Sequence, residues 1–227
     1  MRLRKPPNRK LDFEIGVKMS SKSDIHKKEK TKYCNYLEQI KQRLSAIQQF
    51  TLGNATLSEL GREDYDIEFV AIQLRKILEL IAFSSLIANK KVYSKKYKKF
   101  ATNWNAKLML RDLENVNSDF YPKPLYQEGV NEHGITHFEF LKDGYLTKDE
   151  FVFLYNKCGK ALHAMNPYND ETVINLKKSI NEWLQRIITL LTLYQVTLVD
   201  SDEAWIVQLQ SSVNNKAHVL TSIPVEG

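Results

Sequence analysis

What most constrains this chain is the return of apolar residues at three- and four-residue steps, because such stripes can be buried only as helices packed on one another. Between 32 and 50 the stripe is Tyr36, Leu37, Ile40, Leu44, Ile47 and Phe50, and Gly53 lies in its C-cap region. From about Arg62 to Asn89 the series Ile67, Val70, Leu74, Ile77, Leu78, Ile81 and Leu86 keeps the same step. Glu63 and Asp64 stand in its first turn, where carboxylates complement the helix dipole. A third stretch, 92–116, carries Trp104, Leu108, Leu110 and Leu113 and stops before Pro122 and Pro124, which force an extended linker. Thr147-Lys148-Asp149-Glu150 is a capping box that opens a helix expected to run to about Ala164. The most regular stripe, over 170–199, is Leu176, Ile180, Trp183, Leu184, Ile187, Leu191, Tyr194 and Leu198.

Two stretches change period. Thr136 to Leu141 alternates and is followed by Lys142-Asp143-Gly144, which reads as a small hairpin. Trp205 to Gln210 and His218 to Ile223 flank Val213-Asn214-Asn215-Lys216 and read as a second. The expected fold is mainly α, an antiparallel helical bundle of about five helices with a small β-hairpin insertion and a C-terminal β-hairpin. Three parts are expected: a basic, disordered arm over 1–31, a helical domain over 32–200, and a hairpin over 201–227. One hairpin is marginal alone, so the last must pack on the bundle or on a partner.

Charge is concentrated at the start. Residues 1–33 hold eleven Lys/Arg against four acids, a surplus of seven in a chain whose net charge is +6. Such an arm is suited to lie along phosphates, where binding releases counterions; it also reads as a solubilising tail or as sequence upstream of a start at Met19. Inside the body Lys90, Lys91, Lys95, Lys96, Lys98 and Lys99 alternate with Tyr93, Tyr97 and Phe100. This is either a nucleic-acid-binding face or a set of core rings with a solvated rim of lysines. The two cysteines, Cys34 and Cys158, make no disulfide framework, so a reducing, cytoplasmic setting is expected. Neither a signal peptide nor a membrane span is read from the sequence, since the most apolar stretch, Ile187 to Val199, is broken by three threonines and a glutamine.

No phosphate-binding glycine loop, nucleophile elbow or paired zinc-binding histidine motif occurs, and no cofactor or metal is expected. His133 and His137 are four apart in a Gly-containing segment, with only Glu132, Glu139 or Cys158 as a third ligand, too little for a zinc site. His163 is the candidate for chemistry. At about 100° per residue Asn156, Gly159, Lys160 and His163 share one helix face, with Lys157 about 120° away from His163. An imidazole beside a cation and an amide can exchange protons with a ribose hydroxyl while the cation steadies phosphorane charge. The other reading is a histidine hydrogen-bonded inside a helix crossing. Gly159, unfavourable in a helix interior, points to close approach of a backbone or a ligand. Arg75 and Glu79, four apart on the second helix, are either an exposed pair or a polar network supporting His163. Cys158 is a nucleophile near His163 or simply a buried thiol.

Through Gln73-Leu74-Arg75-Lys76-Ile77-Leu78-Glu79-Leu80-Ile81 and then Leu154-Tyr155-Asn156-Lys157-Cys158-Gly159-Lys160-Ala161-Leu162-His163-Ala164, the chain resembles the HEPN superfamily of bacterial helical domains. In many members an early helix carries an Arg-x-x-x-Glu-like patch, and a later one a basic residue, a polar residue and then His. The resemblance spans about 60–200 and implies an all-α up-and-down bundle that often dimerises. For active members it implies metal-independent RNA cleavage in toxin–antitoxin or antiviral systems. It matches His163 to the catalytic His and gives Lys157 and Asn156 to the phosphate, with Arg75, Glu79 and Lys160 in support. Lys157 stands where the family has Arg, which keeps the charge and loses the bidentate fork. The expected partners are RNA, a second copy of the chain, and an antitoxin or defence-system protein. An inactive HEPN-like binding module and a non-catalytic nucleic-acid-binding accessory are the other two functions considered.

Overall fold

The structure is a computed structural model that describes residues 26–53, 63–98, 105–130, 136–163, 176–199, 201 and 203–222. Its helices are α1 (Lys27–Gly53), α2 (Glu63–Ala88), α3 (Lys90–Lys96), α4 (Ala106–Glu114), α5 (Lys148–Ala161) and α6 (Ile180–Thr192). Its strands are β1 (Lys123–Val130), β2 (Thr136–Phe140), β3 (Leu193–Thr197), β4 (Ala204–Gln208) and β5 (His218–Ser222).

α1 and α2 form an antiparallel hairpin, because the stripe Tyr33, Leu37, Ile40, Leu44, Ile47 faces Val70, Leu74, Ile77, Leu78 and Ile81 in one buried cluster. Phe50 near the end of α1 meets Phe69 near the start of α2 with ring centroids 4.4 Å apart, while Tyr36 meets Phe83 at the other end. α2 is central, with α1, α4 and α5 all packed on it. α5 opens on the Thr147 and Glu150 capping box and α6 on a second, made by Ser179 and Glu182.

The expectation of mainly helical structure holds, but the β component is larger than two hairpins. All five strands join in one antiparallel sheet of order β2-β1-β3-β4-β5. The stretch expected to be an extended linker becomes β1: Pro124 pairs with Tyr194 of β3, and its carbonyl accepts from the Leu141 amide. A proline suits the place, since it can accept without donating. β1 is the partner of β2, so Lys142-Asp143-Gly144 is not a hairpin turn; it is the bend that leads into α5, with Gly144 at φ 82°.

Three other boundaries are corrected. The helix expected over 92–116 is divided into α3 and α4, the latter capped by the Asn105 side chain, which accepts from the Leu108 amide; residues 99–104, with Lys99 and Trp104, lie outside the described residues. The helix expected over 170–199 starts at Ile180 and passes straight into β3 at Leu193. Tyr194 and Leu198 fit a four-residue helical step and a two-residue strand step equally, which is why the stripe overran its helix. α1 begins at Lys27, so 27–31 of the supposed arm are helical, and residues 1–25 lie outside the described residues.

The sheet is anchored by its inner face. Tyr194 and Val196 of β3 stand opposite Val207 and Trp205 of β4, and all four are buried with Tyr33 of α1. The Tyr194 hydroxyl donates to that of Tyr33 at 3.0 Å, and the Tyr33 ring stands edge-on to Trp205 at 5.6 Å. Tyr33→Phe is therefore expected to cost about 1–2 kcal/mol, because it strands a buried hydroxyl, and Tyr194→Phe a similar amount. Denaturant unfolding of both singles and the double checks this: the double should cost clearly less than the sum. Strict additivity would show that the two hydroxyls are not coupled.

Candidate functional site

The helical stripes bring α5 across α2, and the contact is polar at one point. There the Arg75 guanidinium lies over the Tyr155 ring, 4.1 Å from its centroid, and Nη2 donates to the Tyr155 hydroxyl at 2.7 Å. Nε faces Glu79 Oε1 at 3.3 Å, and Glu79 also holds Lys76 at 3.1 Å. The Arg75 side chain is 28% exposed and that of Glu79 15%, so the pair is neither a free surface bridge nor a sealed one. Gly159 makes room for it: a Cβ built there would come within 2.7 Å of Arg75 Nη1. The close approach that a helical glycine signals is thus made by a side chain of α2.

Tyr155 was missed in the sequence. Its signal is a ring with a hydroxyl one helical turn before a residue without Cβ, on the flank that meets the neighbouring helix.

Away from the core, and next around the helix from Gly159, α5 meets solvent. Asn156 and Lys160 are exposed and share one face, and His163 is exposed just past the helix. α5 ends sooner than Ala164: Leu162 is the C-cap at φ −92° and ψ 0°, and the His163 amide donates to the Lys160 carbonyl at 3.2 Å. His163 is therefore the first residue beyond the last turn, held by its backbone and not stacked on the helix. The reading of His163 as a buried core histidine is overturned by that exposure.

Lys157 lies on the other flank of α5, with its ammonium 5.7 Å from the Phe153 ring centroid, over which Lys177 also lies at 4.8 Å. It does not join Asn156 and His163 in one constellation. Cys158 is buried, and burial pushes its thiol up to about 12, with the nearby Arg75 charge pulling the other way. A thiol held protonated and enclosed is no nucleophile.

The lysine cluster follows the arrangement of core rings with a charged rim. Tyr93 is 1% exposed and packs on Tyr97 with centroids 4.7 Å apart. Lys90, Lys91, Lys95, Lys96 and Lys98 are exposed; Lys96 donates to the Asn115 carbonyl, and Lys90 reaches Glu29 of α1 at 3.8 Å. That contact sets the exposed Lys27, Lys28 and Lys32 of α1 at the same end of the molecule as α3.

Two concavities lie away from His163. One of about 350 Å³ is lined by Tyr121, Pro122, Lys123, Phe140, Tyr145 and Lys148, among others. Its two lysines are paired with Asp119 and Glu114 respectively. The other is a groove of about 600 Å³ along α1, bordered by Ile188 and Leu209. Among the described residues no three His, Cys, Asp or Glu side chains gather as metal ligands, and no helix is long and apolar enough to cross a membrane. His133 and the His137 side chain lie outside the described residues.

A thiol reagent at pH 8 is expected to modify Cys34 faster than Cys158, because Cys34 is partly exposed and Cys158 is buried. Mass spectrometry of the labelled peptides checks this, and rapid labelling of Cys158 in the folded chain would contradict its enclosure. The chain matches no protein-family model, no curated protein and no solved structure.

Proposed function

We propose that this chain is a HEPN-like, metal-independent endoribonuclease, acting as a homodimer in the bacterial cytoplasm within a toxin–antitoxin or antiphage system. One observation carries the reading: His163 stands in solvent at the end of α5, beside the outward face of Asn156 and Lys160. An exposed imidazole can act as general base and take the proton from a ribose 2′-hydroxyl. The 2′-oxygen then bonds to phosphorus, the bond to the 5′-oxygen breaks, and the leaving oxygen receives a proton. The products are a 2′,3′-cyclic phosphate and a 5′-hydroxyl end. The second copy of the chain supplies the second His163, so that one imidazole serves as base and the other as acid. Asn156 and Lys160 touch the RNA backbone, and the exposed lysines of α1 and α3 supply salt-dependent attraction for the rest of the strand.

A second reading has its own support. Lys157 is turned to Phe153, so the basic residue expected beside the histidine is not gathered with it. On that reading the chain is an inactive HEPN-like module that dimerises or binds a protein partner through the same face. A third, a non-catalytic nucleic-acid-binding accessory, rests on the exposed lysines at 90–98.

Hydrolysis of a labelled RNA in chelator separates these readings. The wild type is expected to cleave, and His163→Ala to lose about 100-fold or more in rate. Equal cleavage by both would remove His163 from catalysis. Binding without cleavage, weakening steeply with salt, would favour the accessory reading.

A further inference from the structure

We infer that Arg75, reaching from α2 through the gap left by Gly159, is the residue that grips the scissile phosphate. This rests on the proposal that the site acts on an RNA phosphodiester. Phosphate is held well by a guanidinium whose plane is already fixed, whereas a lysine offers a mobile point charge. Of the basic side chains on α5 itself, Lys157 is on the wrong flank, over Phe153. Arg75 is on the Gly159 flank: its Nη1 lies against Gly159, whose carbonyl accepts from the Leu162 amide as the Lys160 carbonyl accepts from that of His163, so Gly159 stands about one turn before His163.

The guanidinium is also prepared for the task. Tyr155 takes Nη2, Glu79 takes Nε, and the ring beneath fixes its plane. Nη1, the nitrogen with neither contact, is the one nearest the glycine. A side chain fixed at two of its three nitrogens loses little freedom when a phosphate oxygen meets the third. Glu79 and Tyr155 are positioning residues in this arrangement, and Gly159 is the opening through which the cation is presented.

The glycine makes the inference testable without removing the arginine. In Gly159→Ala the added methyl meets only the far end of a flexible side chain, so the guanidinium must shift while the backbone need not. Alanine also favours the helix over glycine, which offsets part of the disturbed Arg75 contacts, so Gly159→Ala is expected to stay folded, as circular dichroism checks. Cleavage of a labelled single-stranded RNA is expected to fall by about 100-fold in kcat for Gly159→Ala and for Arg75→Lys. Binding of the 2′-O-methyl version of the same strand, which cannot be cleaved, is expected to weaken in both.

If the wild type cleaves and both variants keep its kcat, KM and binding, the inference fails and the nuclease proposal stands. If the wild type does not cleave but its binding of the methylated strand weakens in both variants, the nuclease proposal fails and Arg75 keeps its phosphate role. Unchanged binding in that case, or no binding by the wild type, overturns both.

Discussion

A guanidinium placed where two helices cross must be satisfied, and the packing of α5 on α2 follows from that requirement. Removing a charge from water is costly unless hydrogen bonds and counter-charge replace it. Here Glu79 on the same helix and Tyr155 on the other supply them, and Gly159 supplies the space. Because the partners belong to both helices, α5 cannot roll about its axis without breaking a contact. That fixed roll turns Phe151, Leu154, Cys158 and Ala161 into the core and leaves Asn156 and Lys160 in solvent.

Much of this was legible in the residues. α1 and α2 follow their stripes, and α5 its stripe and capping box, because there helical period, burial and, for α5, capping chemistry agree. The errors fall where two periods coincide or where a partner is distant in sequence. Tyr194 and Leu198 satisfied the helical step although Val196 between them, β-branched and buried, belongs to a strand. β1 was hidden by Pro122 just before it and Pro124 within it: its strand character depends on β2 and β3, and no local pattern shows which strands will lie beside it. At the site, Gly159 advertised a close approach, but the identity of the approaching group required the α2–α5 crossing. The end of α5 at Ala161 was not legible either, since Ala161 and Leu162 are both good helix formers.

The charged surface is arranged by the same packing. Tyr93 fixes α3 to the core, and its lysines are thereby held outward. The contact of Lys90 with Glu29 draws the start of α1 alongside, so lysines from two distant parts of the sequence share one end of the molecule. A single exposed ion pair of this kind adds little stability. Its importance is in summing the field: several like charges held close attract a polyanion faster and more strongly than the same charges spread along a flexible chain.

The joint between α6 and β3 has no intervening residue, with Thr192 the last of the helix and Leu193 the first of the strand. Length at this point is therefore unforgiving. One residue added there would send Tyr194 and Val196 to the outer side of the sheet and bring Leu193, Gln195 and Thr197 inward, exchanging an aromatic lining for a polar one. Related chains that keep this architecture should vary in size at their loops and keep this junction unbroken, so an ungapped alignment across it would be the first sign that a newly found sequence shares the fold.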